Sequence, residues 1–200
     1  MTEFPYTIAI SGYTGAGKST VIDHLLPLFR DAVALRIDDY GEDAIFPSTI
    51  DWIMNDSNPD EYITPQLTEN IRLLKNGKSA INPKDKSEIS PAKYILIEEP
   101  FGKSRTVMKP LIDFHVQMEI PAEIALARRI LRNIEMLEND PNGEGIREFL
   151  DWYLSAGRQF FIKAHELAAK DKDLIVDGLR PPDETARVIF EKVLVKRLKS

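Results

Sequence analysis

The sequence predicts a three-layer α/β/α fold in which a five-stranded parallel sheet lies between two layers of helices. Short apolar segments alternate with longer amphipathic segments along the chain, an order typical of strands that alternate with helices. Four of the five apolar segments lack the polar alternation of an exposed strand, which favours parallel strands buried on both faces. Parallel neighbours also require right-handed crossovers, so helices are expected on both faces of the sheet.

Five segments are expected to form this sheet. The first three end at a glycine or at acidic residues, namely Gly12, Asp38 and Glu98. The fourth segment differs, because its apolar and polar residues alternate with the period of two of a β-strand. The predicted strands are residues 6–11, 33–37, 94–97, 114–120 and 174–176.

Segments with apolar residues at helical spacing lie between and after these strands. One of them has Thr64 as its predicted N-cap, Pro65 at its first helical position and Gly77 just beyond its end. The predicted helices are residues 18–29, 65–76, 122–138, 146–169 and 183–198. The turn-rich segments 41–63, 77–93 and 139–145 are predicted to be loops over the carboxyl ends of the strands, where α/β proteins bind ligands.

The composition excludes several classes of protein. The chain has 200 residues, no cysteine and a net charge of −6. The lack of cysteine excludes a disulfide scaffold, a thiol nucleophile and a cysteine-ligated metal site. The negative charge argues against nucleic acid as a partner, no apolar run approaches the ~20 residues of a membrane helix, and residues 1–6 lack a signal-peptide pattern. We therefore expect one cytoplasmic domain over residues 1–200, and its oligomeric state stays open.

The strongest motif follows the first predicted strand and opens the first predicted helix. Residues 12–19 fit the pattern G-x-x-x-x-G-K-S/T of a phosphate-binding loop, the P-loop, in the strand-to-helix context that the pattern requires. Its glycines let backbone N–H groups face the phosphates, Lys18 adds a positive charge and the Ser19 hydroxyl binds Mg²⁺. The alternative is a glycine-rich turn with an exposed lysine. The predicted ATP-binding residues are Gly12, Tyr13, Thr14, Gly15, Ala16, Gly17, Lys18, Ser19 and Thr20.

Acidic pairs follow the second and third predicted strands, where both would lie beside the P-loop. Asp38, with Asp39 after it, could accept the proton of an attacking hydroxyl or hold a metal-bound water. Glu98, with Glu99 after it, is placed to hold Mg²⁺ through water. The alternatives are a turn that is capped by its own aspartates and a strand end that meets solvent.

Three arginines lie on the predicted helix after the fourth strand. Of Arg128, Arg129 and Arg132, the first and the last are four residues apart and share one helix face. Guanidinium groups near a transferring phosphoryl group stabilise its charge, so we expect Arg128 and Arg132 to close over the phosphates. The alternative is a solvated basic face that pairs with Glu135 and Glu138.

Taken in this order, these motifs resemble the uridine kinase family and its relatives, nicotinamide riboside kinase, phosphoribulokinase and bacterial pantothenate kinase. The resemblance implies that Asp38 rather than Asp39 is the catalytic base and that Glu98 is associated with the metal. It also implies an arginine-rich lid over residues of about 128–148. The segments that carry it are 7–20, 37–40, 58–62, 73–77, 95–98, 127–134, Tyr153 and 172–176.

The chain departs from the family pattern mainly in the half of the site that would hold a nucleoside. Glu99 follows the metal-associated glutamate where the family has glycine, the loop 82–86 lacks the family's tyrosine and histidine, and Ala125 replaces an arginine. The expected activity is transfer of the γ-phosphoryl of ATP to a hydroxyl of a small metabolite. A nucleoside is the expected acceptor. The alternatives are another small alcohol, such as a sugar or vitamin precursor, and an ATP-binding regulatory protein that has lost catalysis.

The three histidines, His24, His115 and His165, fall on predicted helices and a predicted strand. We expect them to be structural and to lie away from the site.

Overall fold

The computed structural model describes residues 5–135 and 142–198, and its core is a five-stranded parallel sheet. The strands of this sheet are β1 (Tyr6–Ser11), β2 (Ala32–Leu35), β5 (Tyr94–Glu98), β6 (Phe114–Glu119) and β7 (Leu174–Asp177). The strand order is β2-β5-β1-β6-β7, and every neighbouring pair is parallel, so the predicted α/β fold is confirmed. A separate antiparallel pair is formed by β3 (Ala80–Ile81) and β4 (Glu88–Ile89).

Helices cover both faces of the sheet. They are α1 (Lys18–Phe29), α2 (Thr49–Met54), α3 (Pro65–Lys75), α4 (Ala122–Glu135), α5 (Glu144–Trp152), α6 (Arg158–Ala168) and α7 (Pro182–Arg197). Ile8 and Ile10 of β1 pack with α1 and α7 on one face, while Ala9 packs with α3 on the other, as the alternation of side chains along a strand requires. No helix in the described part of the chain is long and apolar enough to cross a membrane.

Two strands differ from the sequence-based expectation in their burial. β7 is predicted to be buried but lies at the sheet edge, and its Ile175 is 52% exposed. β6, whose residues alternate, is an inner strand, and its polar residues His115 and Gln117 are fully buried. Both side chains hydrogen-bond to Ser11 of β1, which offsets part of the cost of burying polar residues there.

Two predicted loops contain regular structure. Segment 41–63 includes α2, which forms because Trp52 is fully buried and donates its indole N–H to the carbonyl of Asn58 at 2.6 Å. Segment 77–93 contains the β3–β4 hairpin, held to α3 by a 2.8 Å hydrogen bond from Asn70 to the carbonyl of Ile81. Both segments lie near the carboxyl ends of the strands, where they shape the site.

The long helix predicted over 146–169 is interrupted. A π-helical turn over Tyr153–Gly157 separates α5 from α6. The Trp152 ring packs so closely on Gly157 that a Cβ there would lie 2.5 Å from a ring carbon. A glycine in the middle of this helical segment is therefore required by packing. Residues 139–141 of the third predicted loop and residues 136–138 at the end of the predicted helix 122–138 lie outside the described residues.

Candidate active site

The P-loop connects β1 to α1 in a conformation that depends on its glycines. Gly12, Gly15 and Gly17 have φ angles of +148°, +81° and +94°, which L side chains rarely adopt. At Gly15 a Cβ would also lie 2.1 Å from the carbonyl oxygen of Ala125. The loop therefore contacts the backbone of α4 directly, and this contact brings the arginines of that helix to the loop.

One cavity of about 760 Å³ collects most of the residues that the sequence singles out. It lies at the carboxyl ends of the central strands and extends from the P-loop to the aromatic residues of α5 and α6. The predicted residues that line it are Gly12, Tyr13, Thr14, Gly15, Gly17, Lys18, Ser19, Thr20, Asp38, Glu98 and Arg132. Two predicted residues, Ala16 and Arg128, line a second cleft instead.

The ammonium group of Lys18 is held over the loop. It donates hydrogen bonds to the carbonyl oxygens of Gly12 at 3.1 Å and Tyr13 at 3.0 Å. Burial lowers the pKa of Lys18, while the negative charges of Glu98 and Asp38 act in the opposite direction. The positive charge therefore lies within reach of both carboxylates, at the point where the P-loop amides would receive phosphates.

Asp38 and Asp39 have different surroundings although they are neighbours. The Asp39 carboxylate accepts hydrogen bonds from Lys84 at 3.0 Å and from Asn82 at 3.2 Å, both in the β3–β4 hairpin. Asp38 is exposed and lines the cavity, and within the described residues no hydrogen bond or ion pair engages its carboxylate. The buried Tyr40, whose hydroxyl accepts a hydrogen bond from Asn70, fixes the turn that carries both aspartates. Asp38 is thus the aspartate that is free to meet a substrate.

Glu98 and Glu99 end β5 on opposite sides of its backbone. Glu98 is buried, lines the cavity and lies 3.9 Å from the guanidinium of Arg36. Glu99 is completely buried in an ion pair with Arg105 and accepts a hydrogen bond from the backbone N–H of Phe101 at 3.2 Å. Burial raises the pKa of Glu99, and the adjacent Arg105 opposes this shift. Glu99 is committed to the ion pair, whereas Glu98 faces the P-loop.

The donor set fits Mg²⁺ that arrives with a nucleotide. The Ser19 hydroxyl and the carboxylates of Glu98 and Asp38 line the same cavity as Lys18. Among the described residues no group of three or more His, Cys, Asp or Glu side chains could hold a metal by itself. Mg²⁺ in proteins is usually bound by one or two carboxylates together with water and substrate phosphates. The two carboxylates and the hydroxyl in this cavity are consistent with that type of coordination.

The arginines of α4 divide between the two sides of the P-loop. Arg128 donates a hydrogen bond to the carbonyl of Gly178 at 2.9 Å and lines the second cleft, which has a volume of about 290 Å³. Arg132 lines both spaces, and Arg129 lines only the main cavity. Sequence analysis did not select Arg129, yet it is three residues from Arg132 and shares that face of the helix.

Arg129 has surroundings that suit an anion. Burial lowers the pKa of Arg129, its Nε atom is buried with no hydrogen-bond partner in the described structure, and its guanidinium lies 5.6 Å from the ring centre of Phe149. The alternative role for these arginines is ion pairing with Glu135, whose side chain the structure does not describe, and with Glu138, which lies outside the described residues. The predicted lid, about 128–148, is described only as 128–135 and 142–148.

The end of the cavity away from the P-loop has aromatic walls. The ring of Tyr62 lies 5.0 Å from that of Phe101 and 5.5 Å from that of Phe160, with the hydroxyl in apolar surroundings that raise its pKa to about 12. We call this part of the cavity the aromatic chamber. Its ring residues are Phe46, Tyr62, Phe101, Trp152, Phe160 and Phe161. Sequence analysis missed it, because these residues come from separate segments and carry no local motif.

One expectation about the histidines is wrong. His165 lies on α6 in the wall of the main cavity, where its ring stacks on Tyr13 of the P-loop with centres 4.5 Å apart. His115 is buried within the sheet and His24 is exposed on α1, so neither of these lines the cavity. The position of His165 could not be inferred locally, because the tertiary fold alone brings α6 to the loop.

Comparison with known proteins adds sequence relatives. The chain is 24% identical over 208 residues to the uridine kinase of Clostridium novyi. The alignment covers 98% of this chain and 95% of that protein. It is also 26% identical over 182 residues to the uridine kinase of Staphylococcus aureus. This second alignment covers 84% of this chain and 86% of that protein. No protein-family model matches the chain. The predicted resemblance to uridine kinases is confirmed over most of the sequence.

Solved structures show the same fold. The APS kinase of Mycobacterium tuberculosis, solved with AMPPNP and APS, superposes with a TM-score of 0.52 at 18% identity and covers 95% of this chain and 98% of that one. The shikimate kinase of Aquifex aeolicus superposes with a TM-score of 0.51 at 16% identity and covers 97% of this chain and 99% of that one. The chain therefore has the fold of P-loop kinases.

Proposed function

We propose that this protein is an ATP-dependent kinase that transfers the γ-phosphoryl group to a hydroxyl of a small metabolite. The observation that carries the proposal is the convergence of Lys18, Asp38 and Glu98 on one cavity with an arginine pair. A P-loop alone supports nucleotide binding, whereas a carboxylate that is free to accept a proton beside it supports transfer to an alcohol. The sequence similarity to uridine kinases supports the same reaction class.

The two spaces beside the P-loop suggest how ATP lies. The second cleft and the main cavity share Gly15, Gly17, Thr20 and Arg132, so one elongated ligand can extend from one to the other. The nucleoside of ATP then lies in the second cleft beside Arg128, and the triphosphate follows the loop into the main cavity. The γ-phosphoryl group arrives between Lys18 and Asp38, facing the aromatic chamber.

Each charged residue then has a definite task. Lys18 and the P-loop amides hold the phosphates, and Asp38 accepts the proton of the attacking hydroxyl. Arg129 and Arg132 of α4 stabilise the negative charge that develops on the transferring phosphoryl group. Ser19 and Glu98 would hold Mg²⁺, which neutralises phosphate charge when it is bound. Closure of α4 over the loop excludes water that would otherwise hydrolyse ATP.

The aromatic chamber is the acceptor site in this proposal. Arg105, a buried cation in the wall of the cavity, is neutralised by Glu99 and also donates to the carbonyl of Tyr62 at 2.7 Å and to the hydroxyl of Thr64 at 3.0 Å. The chamber therefore favours an uncharged acceptor with a flat ring over an acid or an open-chain sugar. A nucleoside fits this description, and a different ring-bearing alcohol is the second candidate, because loop 82–86 lacks the tyrosine and histidine with which the resembled family holds a nucleoside.

An assay of ADP release with MgATP and a panel of alcohols tests the proposal. The panel contains nucleosides, ring-bearing vitamin precursors, free sugars and hydroxy acids, each at several concentrations. We expect saturable ADP release with a ring-bearing neutral alcohol and phosphorylation of its hydroxyl. ATP binding without turnover of any acceptor would favour the regulatory protein that the sequence leaves as an alternative.

A further inference from the structure

A continuous chain of side-chain hydrogen bonds joins the buried sheet to the wall of the main cavity. His115 Nε2 lies 2.7 Å from Ser11 Oγ, which lies 2.5 Å from Gln117 Oε1. On the other side of that amide, Gln117 Nε2 lies 2.7 Å from His165 Nδ1. His165 Nε2 completes the chain at 2.9 Å from a carboxylate oxygen of Glu119.

The chain holds the His165 ring from both of its nitrogen atoms. A carboxylate accepts hydrogen bonds, so the Glu119 carboxylate accepts from His165 Nε2, and Nδ1 of the same ring lies against the Gln117 amide nitrogen. The Ser11 hydroxyl lies between His115 Nε2 and the Gln117 amide oxygen, and it also lies 3.3 Å from the carbonyl oxygen of Val116. Burial lowers the pKa of His115 to about 4, so this ring is neutral near pH 7. The imidazole of His165 is thereby held in one orientation.

This fixed ring lies against the P-loop. The rings of His165 and Tyr13 are stacked with their centres 4.5 Å apart and their planes within 6° of parallel. The carbonyl of Tyr13 accepts hydrogen bonds from the Lys18 ammonium at 3.0 Å and from the backbone N–H of Ala16 at 3.0 Å. A displacement of Tyr13 would therefore move the loop backbone and the lysine at the same time.

We propose that His165 is a positioning residue for the phosphates of ATP, acting through its stack on Tyr13. The inference rests on the proposed function, since it assumes that the P-loop binds ATP. The hydrogen-bond chain orients the imidazole, and the imidazole face holds the tyrosine ring. The two contributions are physically distinct, so substitutions can separate them.

Two variants of His165 make this separation. His165→Phe keeps a flat ring on Tyr13 but leaves the buried Gln117 amide without its acceptor, so stability falls while ATP affinity stays within about twofold of wild type. His165→Asn keeps an oxygen that can accept from Gln117 but removes the stacked face. We expect its dissociation constant for MgATP to rise by about 3–10-fold, the usual worth of an aromatic pair, with a smaller loss of melting temperature than in His165→Phe.

The measurement is isothermal titration with MgATP, together with the melting temperature of each variant without ligand. It needs no acceptor. His24→Ala is the matched control, because His24 is an exposed histidine on α1 outside the cavity. Tyr13→Ala should weaken MgATP as much as His165→Asn does, and the double variant should be no weaker than either single variant. If His165→Asn does not fold, His165→Gln takes its place, because it also lacks the ring and keeps an amide group that can bond Gln117.

Specific outcomes overturn the inference. An unchanged MgATP affinity in His165→Asn, affinity losses that simply follow the melting temperatures, or additive effects of Tyr13→Ala and His165→Asn would each contradict it. Lys18→Ala separates this failure from failure of the proposed function. Wild-type binding that does not depend on Lys18 would overturn both proposals, whereas Lys18-dependent binding with an indifferent His165 would overturn only this one.

Discussion

The carbonyl oxygen of Ala125 lies 2.1 Å from the position that a Cβ atom on Gly15 would occupy. This relationship joins the P-loop to α4, and the proposed placement of the arginines around the loop depends on it. Ala125 itself is buried in the main core, so the helix has little room to retreat. Any side chain at position 15 must displace either the loop or the helix.

Gly15→Ala is therefore expected to destabilise the protein beyond the cost of its positive φ. Backbone strain of this kind costs about 1–3 kcal/mol, and the collision with α4 adds to it. Gly77→Ala is the matched control, because Gly77 also has a positive φ of +69° but a Cβ there would meet nothing within 4 Å. Chemical denaturation of both variants checks this prediction, and equal losses would show that the contact between loop and helix is not tight.

Lys18→Ala should abolish most of the stabilisation that ATP provides. A ligand that binds only the folded state contributes about 2.7 kcal/mol at a hundredfold excess over its dissociation constant. The ammonium is placed over the loop by the carbonyls of Gly12 and Tyr13, so its removal takes away the main positive charge at the phosphates. Thermal melting with and without MgATP is the measurement. The variant should melt normally alone, and a wild-type shift with ATP would contradict the phosphate assignment.

The arginines of α4 are expected to differ in what they control. Arg129→Ala should lower kcat by about 10²-fold, the usual effect of losing one charge-stabilising donor, because this side chain lines the cavity of the transferring group. Arg128→Ala should mainly raise KM for ATP, because Arg128 lines the second cleft and bonds Gly178. Steady-state kinetics distinguish the two patterns, and a reversed pattern would exchange the roles of the two arginines.

His115 makes stability depend on pH. Burial lowers the pKa of His115 to about 4, below the usual value of 6.5 that the unfolded chain would show. As pH falls from 7 towards 4 the unfolded state takes up a proton that the folded state resists, so stability decreases over this range. The loss reaches about 3 kcal/mol at pH 4 by linkage.

The comparison with His115→Gln isolates this effect, because the carboxylates titrate in both proteins. Denaturation curves at pH 7, 5.5 and 4 should show a smaller loss of stability in the variant. Parallel losses in the two proteins would mean that His115 is protonated as easily in the folded chain as in the unfolded one.

Local patterns account for what the sequence predicts correctly. The strand before Gly12, the helix from Lys18 and the carboxylates after β2 and β5 are each encoded within a few neighbouring residues, and the parallel sheet follows from their alternation. The lid arginines were harder to assign, because helical spacing allows either Arg128 or Arg129 to share a face with Arg132. Only the contact of α4 with Gly15 decides which arginine lies on which side of the loop.

Long-range packing accounts for what the sequence does not show. His165 lies 152 positions after Tyr13, and no local sequence pattern predicts that their rings stack. The aromatic chamber likewise combines rings from the segments before and after α2, the loop after β5 and the two helices α5 and α6. Such residues are indistinguishable from ordinary core residues until the chain is folded.

The most direct test of the account compares Asp38→Asn with Asp39→Asn. The rate of ADP formation is measured in a single turnover with saturating MgATP and the best acceptor from the panel. Asp38→Asn should retain ATP affinity and lose about 10²–10⁴-fold in rate, the usual worth of a positioned base, while Asp39→Asn, whose carboxylate is held by Lys84 and Asn82, should lose far less. A fully active Asp38→Asn variant would contradict the account, because proton removal would then not occur at the carboxylate that lines the cavity beside Lys18.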